Sequence, residues 1–399
     1  MKPVLTAVLA LSLVAPGAAI AAEKKYDHGA SDTEIRIGQT VPYSGPASYG
    51  GVIGRVQTAF FEQLNANGGI NGRKVNLISL DDGYSPPKTV EATRRLVESE
   101  GVLATYYSMG TGPQAAVQKY LNSKKVPQLM VATGSAKWDE PEKFPWSTSA
   151  LALYSTEAKL FAKWVLQNRP GAKIAILYQN DDLGRDYVRD FKAGLGDKAA
   201  TLVVAESTYD ITDPTIDSQM VKLAASGADL FYNVTVGKFV SQSIRKAAEL
   251  GWKPLQYLVG SSASNMLINA GGPENAKGLR SLIYAKQPDA AEWANDPDIK
   301  AYQEFRAKYT PTIDPADGVG LLAYSGAKVL AELLKRCGDD LTHANLLKVA
   351  TNLKDFGAIH LLPGIAYNMS PTDYEPIRAL YLGEYDGKEF KRPEALISR

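Results

Sequence analysis

A single cysteine, Cys337, and only three histidines, His28, His343 and His360, leave this chain short of the residues that do covalent chemistry. One cysteine excludes an intrachain disulfide, and its place in Leu-Leu-Lys-Arg-Cys-Gly reads as packing at a helix C-terminus. None of the histidines falls in a predicted strand-end loop. Gly-x-Ser-x-Gly, His-Glu-x-x-His and Cys-x-x-Cys are all missing, which removes the usual hydrolase, zinc-peptidase and redox readings. Gly110-Thr-Gly112 lacks a third glycine, and Gly-Lys-Ser/Thr is absent, so a nucleotide is not expected. Asp210, Asp213 and Asp217 lack calcium-loop spacing, and Asp213 before Pro214 reads as a helix cap. No metal and no cofactor is expected. Asp181-Asp182 reads as a pair of caps on a turn rather than an acid/base pair, so the chain is read as a binder and not an enzyme.

One-sided charge is missing too. The formal net charge is +1, and Lys2 is the only charge in residues 1–21. Without that segment the balance is zero, which gives no field for nucleic acid or an anionic membrane. The one apolar run near membrane character, Val4–Val14, is too short to span a bilayer. With Lys2 before it and Ala19-Ile-Ala21 after it, residues 1–21 read as a signal peptide cleaved after Ala21. A periplasmic location follows, with no direct membrane insertion, and a monomer is expected.

What remains exceeds one core. Short apolar strands alternate with helices of nine to fifteen residues. Strands are predicted at 34–38, 75–80, 102–107, 127–132, 173–178, 201–205, 229–233 and 256–259. Helices are predicted at 53–65, 88–99, 113–124, 154–168, 184–195, 215–226, 238–250 and 262–270. Helices then dominate at 295–309, 318–336 and 342–353, and a strand-like tail follows at 358–391. Residues 34–145 and 173–280 each read as a βαβαβ series, which predicts two α/β lobes with parallel sheets. Residues 34–148 plus 284–358 are assigned to the N-terminal lobe and 149–283 plus 359–399 to the C-terminal lobe. A ligand is expected in the cleft where the strand ends face each other.

Two turns stand out there. Ser108-Met-Gly-Thr-Gly112 and Thr133-Gly-Ser135 are small, hydroxyl-rich and follow strands. Such turns gather N–H groups, hydroxyls and a helix N-terminus at one point, which suits a carboxylate. Ser108, Gly110, Thr111, Gly112, Thr133, Gly134 and Ser135 are therefore candidate ligand-binding residues. Aromatics crowd these loops, at Tyr43, Tyr49, Tyr84, Tyr106, Tyr107, Trp138, Trp146 and Tyr154. About half are expected to serve packing, and at most one of Tyr106 and Tyr107 should face the cleft.

From Glu34 to about Leu382 the chain resembles the exported solute-binding proteins of the branched-chain amino-acid ABC transporter type, the leucine/isoleucine/valine-binding family. The matching stretches are Ser44-Gly-Pro-Ala, Asn67-Gly-Gly-Ile-Asn-Gly-Arg73, Asp81-Asp82, Thr111 in its turn, Ala132-Thr-Gly-Ser135, Ile176-Leu-Tyr-Gln-Asn-Asp-Asp-Leu-Gly184 and Gly260. Pro42-Tyr-Ser-Gly-Pro-Ala, Asp82-Gly-Tyr-Ser-Pro-Pro-Lys88 and Tyr178-Gln-Asn-Asp-Asp look like the branch that binds aromatic acids. The resemblance implies the type I periplasmic binding protein fold: two Rossmann-like lobes, joined by three crossovers, that close on a ligand and dock on a membrane permease. It implies a small carboxylate held by Gly110, Thr111, Gly112 and Ser135, with Thr133 acting through its backbone. Tyr49 would cover the ligand, and Asp182, Leu183, Val236 and Ser262 would approach from the second lobe. Amino-acid binders of the family carry an acidic residue where Ser262 stands, and a tyrosine where Leu183 stands. An ammonium group would lack its partner, so an aromatic or apolar acid is expected unless Asp181 or Asp182 supplies the charge. Tyr84 and Met109 stand near the positions of a disulfide found in some members. An amino-acid binder, or a sensory receptor subunit of the same fold, stays open.

Overall fold

In the computed structural model residues 24–392 and 396–398 are described. The predicted signal peptide lies outside them. Among the described residues, no helix is long and apolar enough to cross a membrane.

Five strands form the first sheet: β1 (Glu34–Val41), β2 (Lys74–Asp81), β3 (Ala104–Tyr106), β4 (Gln128–Val131) and β5 (Ser147–Ser149). They lie in the order β2-β1-β3-β4-β5, all parallel. Between them run α1 (Gly51–Ala66), α2 (Pro86–Arg94) and α3 (Thr111–Lys124). Parallel neighbours need a crossover, and each helix supplies one.

The second sheet has eight strands. β6 (Ile174–Gln179), β7 (Val203–Tyr209), β8 (Leu230–Val234), β9 (Leu255–Leu258) and β10 (Arg280–Ile283) are parallel. The tail adds β11 (Ala379–Tyr385), antiparallel to β10, with β12 (Phe390–Lys391) and β13 (Leu396–Ser398) antiparallel to β11. The helices are α4 (Tyr154–Asn168), α5 (Asp182–Leu195), α6 (Asp217–Ala224), α7 (Lys238–Glu249) and α8 (Asn265–Ala270). The chain passes between the sheets three times: after β5, after β10 and before β11.

After the second passage come α9 (Pro297–Tyr309), α10 (Gly318–Cys337) and α11 (His343–Ala350). α10 packs on α1, where Gln57 donates to the Ala323 carbonyl at 3.1 Å. Cys337 is buried at the end of α10, and burial pushes its thiol up to about 12, so it stays protonated and inert.

Two elements depart from the sequence pattern for tertiary reasons. The stretch 201–205 was expected to be strand, yet Ala199–Leu202 closes a helical turn and pairing begins at Val203, opposite Ile174. The predicted helix 262–270 is broken: Gly260–Ser262 is a 3₁₀ turn, Ser264 is extended, and α8 starts only at Asn265. The Gln287 amide holds that break, accepting from the Asn265 N–H at 3.2 Å and donating to the Ala263 carbonyl at 2.9 Å.

The second lobe is held by an aromatic stack between α4, α5 and the sheet. Phe161 is fully buried, with Phe191 and Tyr232 each stacked on it at 5.8 Å and Tyr257 closer still. Replacing Phe161 with Ala is expected to cost about 3–5 kcal/mol by opening a cavity in this stack. Equilibrium urea unfolding would measure it.

Candidate functional site

A cavity of about 170 Å³ lies between the sheets. Its walls come from the ends of β3, β8 and β10, the start of α10, and the Gly260–Ser264 segment.

One wall is the start of α3. Beyond β3, Tyr107 turns into the left-handed region (φ 53°), so its ring leaves the alternation of the strand and enters the cavity wall. Tyr106 keeps to the core, donating to the Gly326 carbonyl at 2.8 Å. The Ser108 hydroxyl accepts from the Thr40 N–H at 3.0 Å, and the Met109 N–H donates to the Thr40 carbonyl at 3.1 Å, which ties the turn to β1. Gly110 has φ 107°, which favours glycine, and a β-carbon there would come 2.7 Å from the Tyr84 ring. That backbone kink starts α3 at the cavity edge, where Gly110 and Thr111 line it. The Thr111 hydroxyl is 2.7 Å from that of Thr133, which also accepts from the Ser135 N–H at 3.2 Å.

Of the residues expected to hold a ligand, Tyr49, Gly110, Thr111, Leu183, Val236 and Ser262 line this cavity. Ser108, Gly112, Thr133, Gly134, Ser135 and Asp182 are not among its lining residues. Thr133 stands directly behind Thr111. Gly134 is packed so closely that a β-carbon would come 2.3 Å from the Ala152 carbonyl oxygen. The Ser135 hydroxyl bonds to the Asp186 carboxylate at 2.5 Å, and Asp182 pairs with Lys137 at 2.6 Å and Arg185 at 3.1 Å. The first two of these bonds join one lobe to the other. Asp181 caps α5 through the Gly184 N–H and also takes the Tyr84 hydroxyl at 3.3 Å, again across the cleft. Burial raises its pKa, which hydrogen bonds from Gln179 and Gly184 oppose. Neither Asp181 nor Asp182 lines the cavity.

Among the aromatics singled out from the sequence, Tyr49, Tyr84, Tyr107 and Tyr154 line it, and Tyr43, Tyr106, Trp138 and Trp146 do not. Tyr84 and Met109, near the family's disulfide positions, both reach the wall. No histidine and no cysteine lines the cavity, and among the described residues no group of three or more metal-ligating side chains is found.

Sequence reasoning missed two parts of the site. One is the segment Ile283–Gln287 with the start of α10, which brings Lys286 and Asp317, the charged residues of the wall. The Lys286 ammonium is 2.7 Å from Asp296, and Asp317 caps α10 by accepting from Val319 at 2.8 Å and Gly320 at 3.4 Å. An Asp before a Gly-rich apolar helix was a readable cap, but its nearness to the cleft was not. The other part is Glu157 on α4, buried behind the Gly260 loop. Its carboxylate accepts from the Gly260 N–H at 2.6 Å, the Tyr187 hydroxyl at 2.8 Å and the Tyr257 hydroxyl at 2.9 Å. Tyr187 also reaches the Ser261 hydroxyl at 3.2 Å. Burial pushes Glu157 up to about 7 despite those three donors.

The periplasmic binding protein family profile matches residues 34–389. A Leu/Ile/Val-binding protein homolog 3 from Brucella melitensis is 27% identical over 315 residues, covering 77% of this chain and 81% of its own. A branched-chain amino-acid ABC transporter structure from Thermus thermophilus with bound valine superposes with a TM-score of 0.82 at 15% identity, covering 92% of this chain and 97% of that one. A solute-binding protein of an ABC transporter from Rhodopseudomonas palustris BisB5, in complex with 3,4-dihydroxybenzoic acid, superposes with a TM-score of 0.74 at 18% identity, covering 92% and 97%. At these identities the two structures establish the shared fold.

Glu157 gives the site a pH signature. The folded protein keeps a proton on it up to about 7, whereas an unfolded glutamate releases its proton near 4.5. The favourable contribution is therefore complete below the unfolded value and is lost as pH rises through the folded one. The urea midpoint should fall between about pH 5 and pH 8, and Glu157→Gln should flatten that fall. Parallel urea titrations of the two proteins across that range would check it.

Proposed function

The chain belongs to the periplasmic binding protein family, and on that premise we propose that it is the extracytoplasmic solute-binding subunit of an ABC uptake transporter. It is read as a binder without catalytic activity, exported by the N-terminal segment and cleaved after Ala21. Its partners in this reading are a small carboxylate and a membrane permease. The ligand is an aromatic or apolar acid in preference to an amino acid.

One observation carries the ligand class. The start of α3, with Thr111, opens onto a cavity walled mainly by tyrosines and aliphatic side chains. A carboxylate there would take N–H groups that have no carbonyl in their own helix, at the positive end of the helix dipole. The rings of Tyr49, Tyr84 and Tyr154 suit an aromatic or apolar body. An α-ammonium group has less to meet. Ser262 offers only a hydroxyl, neither Asp181 nor Asp182 lines the cavity, and the one carboxylate that does, Asp317, already accepts two N–H groups at the start of α10 through one of its oxygens. The 3,4-dihydroxybenzoic acid of the Rhodopseudomonas palustris protein favours the aromatic side of this reading, and the valine of the Thermus thermophilus protein the amino-acid side.

The mechanism follows from which groups the ligand touches. Gly110 and Thr111 belong to the first lobe, and Leu183, Val236 and Ser262 to the second. A ligand that bonds both only when they are together stabilises the closed state by that difference. The moving bodies would be 34–148 plus 284–358 and 149–283 plus 359–399. Tyr84–Asp181, Lys137–Asp182 and Ser135–Asp186 then act as closure contacts that supplement the ligand.

Isothermal titration with aromatic acids, short fatty acids and leucine tests the class. Aromatic or apolar acids should bind and leucine should not. The reverse pattern moves the function to amino-acid uptake. Thr111→Ala should weaken acid binding by about 1–3 kcal/mol, with Thr111→Ser keeping most of it. An unchanged affinity would put the carboxylate elsewhere.

A further inference from the structure

Three side chains in series run from the core of the second lobe to the cavity. Glu157 is 2% exposed, and its Oε2 meets the Tyr187 hydroxyl at 2.8 Å. That hydroxyl lies 3.2 Å from the hydroxyl of Ser261, an exposed residue that lines the cavity. The Tyr187 ring stacks on Tyr154 at 4.3 Å, and the Tyr154 hydroxyl reaches Thr133 at 3.4 Å, behind Thr111. The stack ties this series to the wall that carries Thr111.

Hydrogen-bond valence leaves the series two arrangements. Glu157 Oε1 accepts from the Gly260 N–H at 2.6 Å and from the Tyr257 hydroxyl at 2.9 Å. The N–H only donates. The Tyr257 hydroxyl already accepts from the Leu282 N–H at 3.3 Å, so its own proton points at Glu157. A proton on Glu157 therefore belongs on Oε2, facing Tyr187. Tyr187 then accepts from Glu157 and turns its proton to Ser261, whose proton is left for the cavity. With Glu157 ionised, Tyr187 donates to Oε2 and its oxygen takes the Ser261 proton, so Ser261 offers the cavity only lone pairs. A carboxylate ligand only accepts, and it bonds Ser261 in the first arrangement alone.

The groups around Glu157 are mostly tyrosines. Tyr187 of α5, Tyr257 of β9, Tyr232 of β8, Tyr284 beyond β10, and Tyr154 of its own helix are all held above the ordinary tyrosine range by burial. None of them ionises near neutral pH. Asp190 of α5, near Tyr232, is paired with Arg189 at 2.8 Å. Burial lifts Glu157 itself to about 7.

We propose that Ser261 is a ligand-contacting residue whose hydroxyl Glu157 sets, through Tyr187, to donate or to accept, so that capture of an acid takes up a proton at Glu157. Tyr187 and Glu157 are positioning residues that act through Ser261. The proton comes from solvent and forms the Oε2–H bond, and each hydroxyl keeps one proton, turned. By linkage, the acid binds more tightly where Glu157 is protonated and is released more readily as pH rises. This rests on the carboxylate reading above and deepens it.

Calorimetric titration of the protein with benzoate, cinnamate and octanoate from about pH 6 to about pH 8.5 tests it, because these acids stay ionised throughout. The affinity of an acid that binds should fall by about threefold or more across that range. Near pH 7 binding should take up as much as about half a proton, read from heats in buffers of different ionisation enthalpy. Glu157→Gln accepts from Gly260 and Tyr257 through its oxygen and donates to Tyr187 through its amide, which is the protonated arrangement at every pH. Its profile should flatten to within about twofold and its proton uptake should vanish. Ser261→Ala removes the contact at the exposed end of the series and should flatten the profile as well. A merely structural Glu157 would lower affinity alike at every pH and leave the slope in place, which overturns the proposal. So does a fall that persists in Ser261→Ala. Should Glu157→Gln fail to fold, the Ser261→Ala profile decides. If none of the three acids binds, the carboxylate reading fails and this inference with it. If they bind with a flat profile in the unaltered protein, only this inference does.

Discussion

The first N–H groups of a helix have no carbonyl one turn earlier to receive them. In this protein α3 begins at Thr111, and the turn before it is held in one geometry. Gly110 takes a backbone angle (φ 107°) that favours glycine, and the Tyr84 ring leaves no room for a β-carbon there. The turn before it is stitched to β1 through Ser108 and Met109. The result is a fixed backbone at Gly110 and Thr111, where the chain reaches the cavity edge. Preorganisation of this kind lowers the ordering cost of binding a ligand there.

The two lobes meet through polar contacts of a different sort. Tyr84 with Asp181, Ser135 with Asp186 and Lys137 with Asp182 join side chains from opposite sides of the cleft. The Lys137–Asp182 pair is partly exposed and contributes little by itself. An exposed pair of that kind does not by itself hold the two sides together. A large apolar interface would hold the lobes shut regardless of cargo. In the proposed mechanism closure depends on these bridges together with a ligand.

Behind the cavity, buried polar groups hold loops that the sheets alone would not. Glu157 bonds the Gly260 N–H and two tyrosines. The Gln287 amide bonds both sides of the break before α8. Each joins segments far apart in sequence, so the Gly260–Ser264 wall is shaped by residues on two different passages between the lobes. Removing either partner would leave a buried group unbonded, a cost larger than the net worth of the bond.

Much of this was legible in the order of the residues. The alternation of short apolar runs with amphipathic segments determined parallel sheets with crossover helices, because strand and helix periods are local properties. The scarcity of cysteine and histidine, and the hydroxyl-rich turn at 108–112, pointed to a binding site at a strand end. Which side chains face the cavity was not legible. Thr111 and Thr133 stand in similar turns, yet one lines the wall and the other backs it, since the facing of a residue beyond a strand end depends on what packs there. Ser135 and Asp182 looked alike as ligand contacts, and their partners across the cleft come from 51 and 45 residues away in the chain. Lys286 and Asp317 carried no local signal of a site. The tertiary structure alone brings them to it, because a second passage between lobes lays that segment along the cavity, and no spacing within one segment encodes where another will lie.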